Sequence, residues 1–406
     1  MDLINSSRLD NTSLSVESRI MAKKFDRITI ALFSAGLCIF FSLASLPLVA
    51  QQELAEIRGV WMTANDMTTL RDRDRTEAAM RELSRLHFNT VYPVVWNGEF
   101  TYYPSKYSAS RGIQSFSYRG VQGQDILKDV ILQAHQHNLL VIPWFEFGFM
   151  TPLSSELARN HPHWLTQQRD GSMTSRSAAG NVAWLNPFHP EVQEFITGLV
   201  MEIVDNYDID GIQFDDHMSL PSQFGYDTYS KQLYLRETSE LPPENIQDPE
   251  WVRWRAAKIT AFMKDLKKAI DSKKNKIIFS VSPNYYDFAY KLQLQDWLTW
   301  MRLGIINELI VQVYRPDLKS FLSQLGRAEI LEAQKEIPTA IAIMTGQRSK
   351  PVPIKLIRDQ VRASQQRNLG VAFFYYETLW DRASESPEVR KSGFQQLFAR
   401  PAIRLT

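Results

Sequence analysis

Eight short apolar runs, each separated from the next by a longer polar or amphipathic stretch, set the narrowest limit on what this chain can fold into. They are RGVWMT (58–63), NTVYPVVW (89–96), LLVIPWFEFG (139–148), DGIQFDDH (210–217), KIIFSVSP (276–283), NELIVQVYR (307–315), TAIAIMTG (339–346) and GVAFFYYET (370–378). Between them lie helix-like stretches such as RTEAAMRELSRLH (75–87), PEVQEFITGLVMEIVDNY (190–207) and WVRWRAAKITAFMKDLKKAI (251–270). In the last, Ile259, Phe262, Met263, Leu266 and Ile270 recur at the steps of one helix face. Strands that alternate with helices build a parallel sheet, and eight such units close into a (β/α)8 or TIM barrel. The near-continuous apolar runs suit strands covered on both faces. The barrel is expected over 55–400, with long loops after the second run (97–122) and the third (149–189), lengths that usually signal function or disorder. An open doubly wound sheet lacks support, because no Gly-rich phosphate loop follows any run.

Residues 1–50 read differently. MAKKFDR begins at Met21 and is followed by a charge-free run, ITIALFSAGLCIFFSLASLPLVA. A basic start, an apolar stretch and a small residue at Ala50 describe a secretory signal. The run is also long enough for an uncleaved membrane anchor. Residues 1–20 are a polar upstream extension. The barrel is therefore expected outside the cytoplasm, secreted or periplasmic, or anchored at the outer face of the inner membrane. Cys38 is the one cysteine of the chain, which excludes an internal disulfide framework and a Cys-based metal centre. A net charge of +1 gives no bulk attraction for nucleic acid.

In such a barrel the chemistry sits at the C-terminal strand ends. The runs end in, or are followed by, Asp66, then Trp96 and Asn97, Glu146, Asp215 with Asp216 and His217, Ser282 and Asn284, Gln312 and Tyr314, Thr345, and finally Tyr375, Tyr376 and Glu377. Strand alternation puts Gly211, Gln213 and Asp215 on one face of the fourth strand and Ile212, Phe214 and Asp216 on the other. The small and polar set is expected to face the barrel axis, which aims Asp215 into the pocket. Asp216 is then either its partner or a structural cap. Glu308, at the opposite end of the sixth strand, is expected in a structural ion pair.

Two acids at a pocket rim suit cleavage of a glycosidic bond: one protonates the leaving oxygen, and the other stays ionised to attack or stabilise the sugar cation. Glu146, in the apolar setting PWFEFGF, is the first choice for the protonated acid, and Glu377, in YYETLW, the second. Asp66, Trp96, Asn97, Asn186, His217, Asn284, Gln312, Tyr314 and Tyr376 are the expected substrate contacts. Three successive residues on a strand cannot all aim at one ion, so His217 is expected to hydrogen-bond substrate or an acid, and neither a metal nor a cofactor is expected.

The motifs together resemble those of the glycosyl-hydrolase-like 10 family: RGVWMTAND, FNTVYPVVWNGEFTYYPSKYS, LNPFHPEV (185–192), DGIQFDDH, SVSPNYYD and IVQVYR, in order over about residues 55–380. The resemblance implies a TIM barrel on the outer side of a bacterial membrane, acting on bacterial cell-wall glycan. It carries the family's acidic motif onto Asp215 and Asp216 and its LNP motif onto Asn186. Many members of that family have Asn where this chain has Glu146. GIQFD is also similar to the fourth-strand motif of α-amylase-type barrels, which places Asp215 at the nucleophile position, although Gln213 replaces their arginine. Against the chitinase-type strand motif, His217 replaces the catalytic Glu. From a different class, a non-catalytic barrel that binds cell-wall glycan would use the same aromatic rim. Only the enzyme needs two carboxyls at a defined separation, about 5–5.5 Å for retention or about 6.5–9.5 Å for inversion.

Overall fold

Each of the eight runs contributes a parallel strand: β1 (Arg58–Met62), β2 (Thr90–Trp96), β3 in two pieces (Leu140–Val141 and Trp144–Phe145), β4 (Gly211–Asp215), β5 (Ile278–Ser282), β6 (Glu308–Gln312), β7 (Thr339–Met344) and β8 (Gly370–Phe374). These come from a computed structural model that describes residues 54–404 except 117–123, 178–179 and 275. Each strand pairs with the next, and β8 pairs back onto β1 (Arg58↔Val371), so the sheet closes into an eight-stranded barrel. The apolar leader and Cys38 lie outside the described residues, among which no helix is long and apolar enough to cross a membrane. Pro143, which has no N–H to donate, sits where β3 is interrupted.

The helices follow the sequence periodicity and carry recognisable starts. In α1 (Arg73–Arg85) the Asp72 side chain accepts from the Asp74 and Arg75 amides. In α2 (Pro190–Asn206) and α3 (Pro249–Asp271) a proline occupies the first turn, where its missing N–H costs nothing. The predicted apolar face of α3 is buried throughout, from Ile259 to Ile270. Truncating Phe262 on that face to alanine should cost about 3–5 kcal/mol. A last helix, α4 (Pro387–Leu397), packs Phe394 against Phe373 of β8 at 5.2 Å between ring centres.

Alternation on β4 is as expected. Ile212 and Phe214 are fully buried, and Phe214 packs against Phe145 and Phe279. Gln213 faces the axis and begins a polar ladder. It accepts from Trp61 Nε1 (2.6 Å) and donates to Ser280 Oγ (2.9 Å), which donates to Glu308 (2.8 Å). Glu308 makes its ion pair with Arg404 and also accepts from the Tyr92 hydroxyl (3.1 Å). Each side chain named in this ladder thus has a partner, as a dry barrel interior requires, and of the Arg404 guanidinium only Nη1 is left without one.

The long segment after β3 is not a bare loop. Met150–Pro152, Thr174–Ser177 and Gly180–Trp184 form a small antiparallel sheet beside the mouth of the barrel. Two buried arginines fasten other rim segments. Arg255 of α3 donates to the carbonyls of Ser222, Phe224 and Ile246 beyond β4. Arg390 of α4 donates to those of Thr345, Val352, Thr378 and Leu379 beyond β7 and β8.

Candidate active site

The end of β4 delivers Asp215 to the axis at 4% exposure, and the turn that follows folds back onto it. Asp215 Oδ1 accepts from the His217 backbone amide (2.8 Å) and from His217 Nδ1 (3.0 Å). Nδ1 also lies 2.8 Å from the Glu146 carbonyl oxygen. A carbonyl cannot donate, so Nδ1 must carry the proton. The turn approaches β3 closely: Phe149 N–H donates to the His217 carbonyl at 2.9 Å, beside Gly148, where a Cβ would stand only 2.8 Å from that oxygen. From below, buried Gln295 donates to the Asp215 carbonyl (2.8 Å). The Phe147 ring covers His217 at 5.1 Å.

Asp216 turns the other way, toward β5 and β6. Asn284 Nδ2 donates to its Oδ2 (2.9 Å) and Gln312 Nε2 to its Oδ1 (2.8 Å). It is therefore not a helix cap; both of its oxygens are held at the rim. Tyr314 stands near both aspartates, whose charge adds to burial in pushing its phenol well above the ordinary range, so its hydroxyl remains a donor.

Glu146 follows β3 directly and is half-buried, and its carboxyl hydrogen-bonds no described residue. Burial, followed by the charge of Asp215, pushes its pKa up to about 8. Burial pushes Asp215 up as well, but His217 opposes this and holds it at about 6. For His217 burial favours the neutral ring; Asp215 and Asp216 outweigh it and raise the pKa to about 10. At neutral pH the cluster thus contains a protonated Glu146, an ionised Asp215 and an imidazolium. Two carboxyls with pKa values driven apart are the arrangement that acid and base catalysis need.

Asp215, Asp216 and His217 place potential ligand atoms within 4.8 Å of one another, which invites comparison with a cation site. In the hydrogen-bonded arrangement Nδ1 holds a proton between the Glu146 carbonyl and Asp215 Oδ1, which engages that nitrogen without an ion.

Several expected contacts lie elsewhere. Glu377 is not a protonated acid: although burial acts to raise its pKa, ion pairs with Arg348 (2.8 Å) and Arg382 (3.5 Å) hold it below the usual range. Trp96 is fully buried against Phe195 of α2 and offers no face to a sugar. Asn186 is 1% exposed and donates to Asp227 and Ser230, bracing a loop behind the rim. Asn97 shapes its own turn, accepting from the Glu99 and Phe100 amides and donating to Tyr102. Asp66 is a clip: it accepts from the Thr63 amide (2.6 Å) and the Glu377 amide (2.7 Å), tying the segment after β1 to that after β8. Burial pushes its pKa up to about 7. Asp215, Asp216, His217, Asn284, Gln312, Tyr314 and Glu146 do come together. Tyr376 lies on the β8 side of the mouth, beside Asp66.

Sequence reasoning missed Gln295, Phe147 and Phe374. Phe374 ends β8 half-buried, with its ring 6.3 Å from Trp144 and 5.8 Å from Tyr314. Its place at the end of an apolar strand was the available signal. Gln295 lies in an unremarkable loop and had none.

Known proteins resemble this chain in sequence and in fold. The glycosyl hydrolase-like 10 family model matches residues 56–364. Glycosyl hydrolase DigH of Escherichia coli O6:H1 is 25% identical over 314 residues, which cover 68% of this chain and 69% of that protein. Glycosyl hydrolase YngK of Bacillus subtilis is 25% identical over 336 residues, 70% of this chain but only 59% of that protein. In fold, the PgaB glycoside hydrolase domain from Bordetella bronchiseptica superposes with a TM-score of 0.62 at 13% identity, covering 80% of this chain and 95% of that one.

Proposed function

This chain belongs to the glycosyl hydrolase-like 10 family, and we propose that it is a glycoside hydrolase of the cell envelope that cleaves peptidoglycan or a related bacterial polysaccharide. The observation that carries the reading is Glu146: a carboxyl kept protonated by its surroundings, without a hydrogen-bond partner among the described residues, close enough to an ionised aspartate to feel its charge. In this reading Glu146 gives its proton to the glycosidic oxygen as the bond to the anomeric carbon breaks. The sugar develops positive charge, and Asp215 is the carboxylate that meets it. Its Oδ1 is held by His217, while no described residue bonds Oδ2, which faces the reacting carbon or the attacking water. His217 keeps Asp215 ionised and oriented. Asp216, fixed by Asn284 and Gln312, adds negative charge where the cation forms and takes sugar hydroxyls at its outer edge.

The substrate assignment rests on the motif resemblance and on the apolar leader, which would carry the barrel across a membrane or leave it anchored at the outer face. The test is to incubate the purified protein with peptidoglycan sacculi, with and without stem peptides, and to read the supernatant by mass spectrometry. Release of glycan fragments, absent with Asp215→Asn, is the expected result. Protein that pellets with sacculi and releases nothing would instead describe a glycan-binding barrel.

A further inference from the structure

A cavity of about 600 Å3 lies between the segments that follow β1 and β8 and the adjoining turns of α1 and α4. Its size is within the range of small-molecule sites, about 300–1,000 Å3. Tyr376, half-buried and edge-on to Trp380 at 6.4 Å, lines it. Asn65, Thr68, Arg382 and Lys391 line it as well. The cations here are matched. Lys391 pairs with Glu82 (3.3 Å), Arg382 with Glu377 (3.5 Å) and Arg75 with Asp72 (3.5 Å). A pocket for an anion would leave a cation unpaired. This one instead presents donors and acceptors side by side around an aromatic surface, which suits the apolar face and neighbouring hydroxyls of an uncharged sugar ring.

The cavity adjoins the reacting centre. Asp66 is part of its wall, accepts the Glu377 amide at 2.7 Å, and is near enough to Glu146 to add to the rise in its pKa. We infer that this cavity is a second subsite, which binds an uncharged sugar unit of the same glycan remote from the bond being cut, so that the protein grips an oligosaccharide across the barrel mouth. The inference rests on the hydrolase reading.

Calorimetry with the Glu146→Gln protein, expected to turn substrate over too slowly to disturb the titration, tests it. The probes are disaccharide and tetrasaccharide fragments of peptide-free sacculus glycan. Tyr376→Ala, added to that background, is expected to weaken tetrasaccharide binding about tenfold, equivalent to about 1.4 kcal/mol, and to leave disaccharide binding within about twofold. Ala78→Arg, at an exposed α1 position on the cavity wall, fills the space without touching the core and is expected to do the same. It stands in if Tyr376→Ala does not fold. Tetrasaccharide affinity unchanged by Ala78→Arg, or both probes weakened equally, would overturn the subsite. If sacculi are nevertheless digested, the hydrolase reading survives that loss. If neither probe binds and wild type releases nothing from sacculi, both fall together.

Discussion

At the scale of single residues, the proposed mechanism rests on three neighbouring titratable groups in different protonation states. In that mechanism Glu146 acts protonated and Asp215 ionised, and their pKa values are about 8 and about 6. Hydrolysis should therefore rise as pH passes about 6, level off, and fall above about 8, a bell that kcat/KM measured across pH 4–10 would display. An optimum confined to acid pH, with activity already lost at pH 7, would contradict the assignment. The same raised pKa has a stability consequence of definite sign. Folded Glu146 holds its proton more tightly than the unfolded chain does. Its contribution is complete below the unfolded pKa, near 4.5, and is lost as pH rises through about 8. Glu146→Gln should thus raise Tm relative to wild type at pH 9 and change it little at pH 4. At this scale the sequence was legible wherever alternation decides, as for Asp215 and Gln213. It misled for Glu377, whose aromatic neighbours suggested a dry carboxyl while its partner Arg348 lies 29 residues away in sequence, beyond any local signal.

At the scale of elements, the rim depends on cations buried among carbonyls. Arg390 reaches from α4 to four carbonyls on the segments after β7 and β8. Arg390→Met keeps much of the volume but strands those oxygens. A loss of about 3 kcal/mol or more is expected by urea unfolding, with reduced hydrolysis as the β8 side of the mouth loosens. A change under about 0.5 kcal/mol would mean water replaces the guanidinium. The eight strands were readable because each is a near-continuous apolar run, and α3 because its buried face repeats at helical spacing. The sheet after β3 was not. Its strands are short, and Thr174–Ser177 carries no apolar pattern, being partly exposed along its length. Trp96 was misplaced for a related reason: the end of a strand indicates the rim, but Phe195 on α2 draws this side chain outward into the helix layer.

At the scale of the whole molecule, one polar ladder runs along the barrel axis from Trp61 to Arg404. The ion pair of Glu308 was foreseeable, because a lone acid on an inward-facing strand needs a partner. That the partner is Arg404, 96 residues further on, was not. Removing it leaves a carboxylate with 1% of its side chain exposed and no counter-charge. Arg404→Ala should cost about 3–5 kcal/mol, and Glu308→Gln in the same chain should recover part of that loss, since a neutral amide can stay in the ladder. The barrel and the acidic motif on β4 make the family recognisable, and the proposed hydrolysis turns on Glu146. The most direct measurement is therefore the rate of glycan release from peptide-free sacculi by wild type and by Glu146→Gln at pH 7. If Glu146 is the acid, the variant should bind the glycan as wild type does and release it about 10²–10⁴-fold more slowly. Release at the wild-type rate would contradict the account and assign the proton to another group.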